Sequence, residues 1–131
     1  GNDTPGTVWA LRVAELQWER LELSASGMRP PMRVCPGAAM CGRHLLIFGG
    51  VDLPTREYFD DAWLFNTLTR EWTEVDLDFE SHGRGWCRSH VTAIFSRERR
   101  SCLLFGGARY FEGVYFQEIV QISSQAPARA S

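Results

Sequence analysis

Three side chains able to ligate a metal fall within nine residues: His82, Cys87 and His90, in the run Ser81-His-Gly-Arg-Gly-Trp-Cys-Arg-Ser-His90. Zinc favours imidazole and thiolate donors, but a structural site takes four ligands and only three stand here. Carboxylates gather at Asp52, Glu57, Asp60 and Asp61. Acid–base work would need a pocket that drives two of their pKa values apart, and the surrounding polar stretch reads as a solvated loop instead. The glycine doublets Gly49-Gly50 and Gly106-Gly107 could approach a phosphate closely, yet neither is followed by a lysine or a helix start. No Gly-x-Ser-x-Gly elbow supports a serine nucleophile. The sequence therefore offers no catalytic residue, no cofactor-binding residue, no cofactor and no metal site, and reads as a non-enzyme.

The doublets matter more for architecture. Each closes an apolar strand, His44-Leu-Leu-Ile-Phe-Gly-Gly50 in one copy and Ser101-Cys-Leu-Leu-Phe-Gly-Gly107 in the other. Trp18 and Trp72 lie 54 residues apart, Arg33 and Arg88 lie 55 apart, and Gly50 and Gly107 lie 57 apart. Elements recurring in the same order at a period near 55 mark a repeat array. Each unit of such an array buries its faces against its neighbours.

Composition narrows the class. The chain has 131 residues, 44% hydrophobic and 23% charged, as expected of one globular domain. Its net charge of −2 and the lack of a basic stripe argue against nucleic acid. No apolar run approaches the ~18 residues that span a bilayer, and no leader pattern opens the chain, so no membrane association is expected. All 14 basic residues are arginine, which reads first as coding bias. Arginine's rigid fork also suits pairing with carboxylates. Cys35, Cys41, Cys87 and Cys102 form no C-x-x-C pair, and Cys102 sits inside an apolar strand. They read as reduced thiols of an intracellular, cytoplasmic protein without disulfides.

Period-two alternation dominates the chain, and no helical spacing persists over three turns. Strands are expected over residues 8–13, 18–23, 34–40, 44–50, 61–66, 72–77, 89–96, 101–107 and 117–122. Loops are expected at 51–60, 78–87 and 108–116, and a fraying polar tail over 123–131. Four antiparallel strands per period make four-stranded blades, and radial repetition of blades makes a β-propeller.

Leu45-Leu-Ile-Phe-Gly-Gly50, Asp61-Ala-Trp-Leu-Phe-Asn66 and Trp72 together resemble one complete kelch repeat. A second copy carries Arg88-x-His90 and Leu103-Leu-Phe-Gly-Gly107 but has no tryptophan after Glu118-Ile-Val-Gln-Ile122, and the first copy is a tail, Val8-Trp-Ala-Leu11 with Trp18. The resemblance implies an all-β fold of kelch-type blades across 1–131: a blade tail at 7–23, a complete blade at 33–77 and an incomplete one at 88–122. It implies that Trp18 and Trp72 pack, largely buried, between blades. It implies that Arg33 and Arg88 tie neighbouring blades through backbone carbonyls, that Gly49, Gly50, Gly106 and Gly107 end second strands, and that His90 packs. Asp61 takes the family's position before the third strand. Because the blades number too few for a ring, the chain reads as part of a longer kelch protein, or as one that self-associates to cover open blade edges.

Function is expected in the loops. Arg56, Tyr58, Arg84, Trp86, Arg109 and Tyr110 are of the types that dominate interface hot spots. Loops leaving second and outer strands emerge at one end of each blade, so these six should share a face and bind a protein or peptide partner, an acidic one by arginine chemistry. The alternatives are the propeller part of a galactose-oxidase-like or sugar-processing enzyme, or a purely structural domain.

Overall fold

The computed structural model describes residues 3–25, 27–76 and 87–123. Twelve strands are named: β1 (Trp9–Arg12), β2 (Gln17–Arg20), β3 (Gly37–Cys41), β4 (His44–Phe48), β5 (Val51–Asp52), β6 (Glu57–Tyr58), β7 (Ala62–Asn66), β8 (Glu71–Val75), β9 (Ser89–Ser96), β10 (Ser101–Arg109), β11 (Val114–Tyr115) and β12 (Ile119–Ser123). Every pairing is antiparallel. The chain is all-β, and among the described residues no helix is long and apolar enough to cross a membrane.

The strands form a hairpin, β1-β2, then a meander of four, β3-β4-β7-β8. A third sheet holds β9, β10 and β12 side by side, with β11 paired to the far end of β10. Strand order follows the chain within each meander, as expected.

Alternation decides which face each residue takes. Pairing places Leu46 beside Ala39 and Leu64, and Phe48 beside Gly37 and Ala62, on one face of the second sheet. The third sheet brings Val91, Cys102, Leu104 and Val120 onto them to form the core. Burying side chains such as Phe48 and Leu104 contributes about 1.5–3 kcal/mol each. The approach is close because Gly37 lacks a side chain: a Cβ there would stand 2.9 Å from the Val91 carbonyl oxygen.

Two of the three expected loops, 51–60 and 108–116, contain paired strands. Residues 51–58 form a two-stranded hairpin, with Val51 opposite Tyr58 and Asp52 opposite Glu57. Residues 108–115 repeat it, with Ala108 opposite Tyr115 and Arg109 opposite Val114 around a 3-10 turn at Tyr110–Glu112. Left-handed residues make the tight reversals possible: Arg56 (φ 61) in the first hairpin and Gly113 (φ 69) in the second. Period-two reading misses these ribbons because each strand is only two residues long past the glycines. β4 stops at Phe48, just before Gly49-Gly50, whereas β10 does not end at its doublet as expected but runs through Gly106-Gly107 to Arg109.

The tryptophan expectation needs correction. Trp72 is half-buried, stacks on Phe65 at 5.0 Å between centroids and donates Nε1–H to the Gly6 carbonyl at 2.8 Å. Trp18, 54 residues earlier, is exposed, and no such segment lies against it among the described residues. Burial of this tryptophan thus depends on backbone from the preceding unit. The expected loop at 78–87, apart from Cys87, and the tail beyond Ser123 lie outside the described residues.

Candidate partner-binding site

Two buried arginines fix the roots of the two hairpins, and they do so in the same way. Arg33 donates Nη1–H to the Gly49 carbonyl at 2.9 Å and forks onto both carboxylate oxygens of Asp61, with Nη2 to Oδ2 at 2.9 Å. Its guanidinium lies 4.1 Å from the centroid of Phe59. Arg88 donates to the Gly106 carbonyl at 3.2 Å and to Glu118 Oε2 at 3.1 Å, and lies 3.5 Å from the centroid of Phe116. Gly49, Phe59 and Asp61 become Gly106, Phe116 and Glu118 by a shift of 57 residues. A planar fork satisfies a buried carbonyl and a carboxylate at once, which a lysine could not do.

These side chains join the second strand's exit to the third strand's start within one sheet. Among the described residues the Arg33 side chain bonds within its own unit and not to a neighbouring blade as expected. Backbone joins the two larger sheets: Gly50 N–H donates to the Arg88 carbonyl at 2.9 Å, Arg88 N–H to the Phe59 carbonyl at 3.2 Å, and His90 N–H to the Cys35 carbonyl at 2.8 Å. A Cβ at Gly49 would stand 2.4 Å from the Arg88 carbonyl oxygen, so only glycine fits that crossing.

Asp61 belongs to this frame. Burial would raise its carboxyl, but hydrogen bonds from Arg33 and Trp63 and the guanidinium charge outweigh it, holding it below the usual carboxylate range. Held this way, the carboxylate serves as counter-charge to the Arg33 guanidinium.

Above the roots the two hairpins meet. Phe111 N–H donates to the Tyr58 hydroxyl oxygen at 2.9 Å, across 53 residues of sequence. The Arg56 guanidinium lies 5.0 Å from the Phe111 centroid, and Arg109 lies 6.0 Å from that of Tyr58. Tyr110 packs edge-on to Phe111 at 6.0 Å. Of the six residues expected on one face, Arg56, Tyr58, Arg109 and Tyr110 are brought together. Arg84 and Trp86 lie outside the described residues.

The charges differ from expectation. Arg109 is committed, donating Nε–H to the Cys87 carbonyl at 2.9 Å and Nη1–H to Glu112 at 3.3 Å. Arg56 forms no ion pair among the described residues and offers its charge from an exposed tip. Asp52 and Glu57 stand in the first hairpin, Glu112 pairs with Arg109 in the second and Asp60 lies beside Cys87, so the tips carry carboxylates as well as arginines. Phe111 is the member that sequence reasoning failed to single out. Its spacing to Arg109 and Tyr110 was visible, but the Tyr58 contact that centres it was not.

The metal run is divided. His82 lies outside the described residues, His90 Nδ1 sits 2.8 Å from Ser89 Oγ, and Cys87 is half-buried beside Asp60 and Arg109. Burial, then the Asp60 charge, push the Cys87 thiol up. Cys41 is likewise raised by burial, and Cys102 is pushed up to about 11 by burial and the neighbouring Cys41. All four cysteines are free.

Residues 32–76 match the family model of the Kelch motif, the span that contains the complete four-stranded sheet, the Arg33–Asp61 pair and the first hairpin. No curated protein matches the chain.

Proposed function

We propose that this chain, a member of the kelch-repeat family, is a protein-interaction module whose working surface is the pair of hairpin tips at 51–60 and 108–116. The observation carrying this reading is the Tyr58–Phe111 junction, which joins tips from two sheets into one aromatic platform. Tyr110 and Phe111 stay exposed on it, and rigid exposed aromatics flanked by arginine are the residues that anchor interfaces.

The fitting partner is a polypeptide segment with an apolar or aromatic anchor for the platform and one carboxylate for Arg56. A run of acidic residues fits poorly, because the same hairpins carry Asp52, Glu57 and Glu112 and Arg109 is already engaged. A catalytic role is disfavoured by the same chemistry. A nucleophilic cysteine needs a lowered pKa, whereas the Cys41, Cys87 and Cys102 thiols are raised. Reduced thiols fit a cytoplasmic setting, which is part of this proposal.

The test is a titration of a purified partner, first identified by proximity labelling, against the wild-type chain and three variants. Tyr110→Ala and Arg56→Ala should each weaken binding about tenfold or more, about 1.4 kcal/mol. Arg43→Ala, in the β3–β4 turn at the opposite end of the sheet, should leave it unchanged. The reverse pattern would move the site to the other end.

A further inference from the structure

The end of the molecule away from the hairpin tips is strongly basic. Three turns stand there: 42–43 between β3 and β4, 67–70 between β7 and β8, and 97–100 between β9 and β10. β4 and β10 leave these turns and run toward the hairpins. The turns hold five arginines, Arg43, Arg70, Arg97, Arg99 and Arg100, against one carboxylate, Glu98. The chain as a whole has a net charge of −2, so basic charge is concentrated at this end. None of the five forms an ion pair among the described residues, whereas Arg12, Arg20, Arg33, Arg88 and Arg109 all do. Arg43 and Arg100 are related by the same shift of 57 residues as Gly49 and Gly106, so the repeat itself places an arginine at this turn in both larger sheets.

The fold brings the turns together. β3 and β9 begin side by side, with Gly37 against Val91, and run the same way. Cys41, leading into the first turn, packs on the core that holds Cys102, just past the third. Thr67 donates its N–H and its Oγ1–H to the Arg43 carbonyl at 3.0 and 2.7 Å, joining the first turn to the second. Asn66 Oδ1 accepts the Leu68 and Thr69 N–H groups, and Ser96 Oγ accepts that of Arg99. The backbone beneath the arginines is thus held before a ligand arrives, which lowers the ordering cost of binding. These turns cap strand ends, not sheet faces, so sheets stacked on either side would leave them open.

We propose that this turn end is a second interaction surface and that it binds an acidic, extended polypeptide segment. A guanidinium fork pairs with a carboxylate through two parallel hydrogen bonds. Packed sheets stand about 10 Å apart, which an extended segment spans in about three residues, so carboxylates at that spacing reach Arg43 and Arg100 together. A polypeptide fits better than a nucleic acid. The turns carry no aromatic residue to stack a base, and they expose Leu68, which suits an apolar side chain beside the carboxylates. The surface is separate from the hairpin tips and takes a different partner, so either reading can fail alone.

Fluorescence anisotropy with a labelled peptide of glutamate and leucine tests it, beside a labelled single-stranded oligonucleotide of equal length. The wild-type chain should bind the peptide, and more weakly as salt rises. Arg43→Gln and Arg100→Gln should each weaken binding about two- to fivefold, and the double variant about tenfold or more. Arg56→Gln removes the same charge from a hairpin tip and should weaken it less than either. In the wild type, the amide resonances of 42–43, 67–70 and 97–100 should shift as peptide is added, a readout that holds even if the double variant misfolds. A wild type that does not bind the peptide overturns the inference. So does tighter binding of the oligonucleotide, a loss in Arg56→Gln as large as in the double variant, or shifts confined to the tips.

Discussion

Asp61 and Arg33, 28 residues apart in sequence, close a two-pronged ion pair beneath the first hairpin, with the arginine side chain 4% exposed and the carboxylate 21%. The pair stands between the second strand's exit and the third strand's start, so it fixes the base from which Arg56 and Tyr58 project. Stability and the binding surface are therefore linked through one contact.

Asp61→Asn should be strongly destabilising, because it leaves a buried guanidinium without its counter-charge, a loss of about 3–5 kcal/mol. The pH dependence follows from the direction of the shift. A carboxyl held below its unfolded value contributes stability that is present above the unfolded pKa and is lost as pH falls through the folded one. Urea midpoints should fall as pH drops below about 4 in the wild type. In Asp61→Asn that part of the decline should vanish.

Glu118→Gln should cost much less than its counterpart, although it occupies the same place in the repeat. Glu118 is 59% exposed and meets Arg88 through one oxygen at 3.1 Å, so solvent screens the pair. A loss of about 1 kcal/mol or less is expected from urea unfolding at neutral pH. A cost equal to that of Asp61→Asn would show that the two roots bear equal load.

Gly49→Ala and Gly42→Ala separate backbone strain from crowding. Both glycines have φ 63, but a Cβ at Gly42 meets open space while one at Gly49 meets the Arg88 carbonyl. Gly42→Ala should cost about 1–2 kcal/mol, the penalty of a left-handed alanine. Gly49→Ala should cost clearly more and should also disturb the Gly50–Arg88 hydrogen bond, visible as faster exchange of the Gly50 amide.

Thiol chemistry gives a test that needs no partner. Cys35 is exposed, whereas Cys102 lies in the core with its thiol pushed up to about 11. At pH 8 a thiol reagent should modify Cys35 first and reach Cys102 only on unfolding, since the thiolate is the reactive form. Peptide mapping of the native protein that finds Cys102 labelled as fast as Cys35 would contradict the packing of the two larger sheets.

Much of this was legible from residue spacing. Short apolar runs at 44–48 and 62–66 and the β-branched stretch at 89–96 marked the strands, and the shift of 57 residues between glycine doublets set the equivalence of the two larger sheets. The Arg33–Asp61 pair escaped because its partners are distant in sequence and brought together only by the strand crossing. The hairpins at 51–58 and 108–115 escaped because two-residue strands carry no period. Trp18 misled for a different reason: a residue type marks a position in the repeat, but burial depends on what stands opposite.

Tyr58 offers the sharpest check on the platform itself. Its hydroxyl oxygen accepts the Phe111 N–H at 2.9 Å, and its ring stands 6.3 Å from that of Phe111. Tyr58→Phe deletes only the acceptor. The contact is solvent-exposed, so water can replace the hydroxyl, and the global cost should stay near 0.5–1.5 kcal/mol. The local effect should be larger in character than in size. The Phe111 amide should lose exchange protection, and the tip at 110–112 should shift its resonances while the core strands keep theirs. Partner affinity should fall with it, because the platform loses the bond that holds two sheets' tips in register. Tyr58→Ala should weaken binding further by removing the ring beside Arg109. If Tyr58→Phe leaves the Phe111 amide protected and the affinity unchanged, the two tips act separately and the joined platform is wrong.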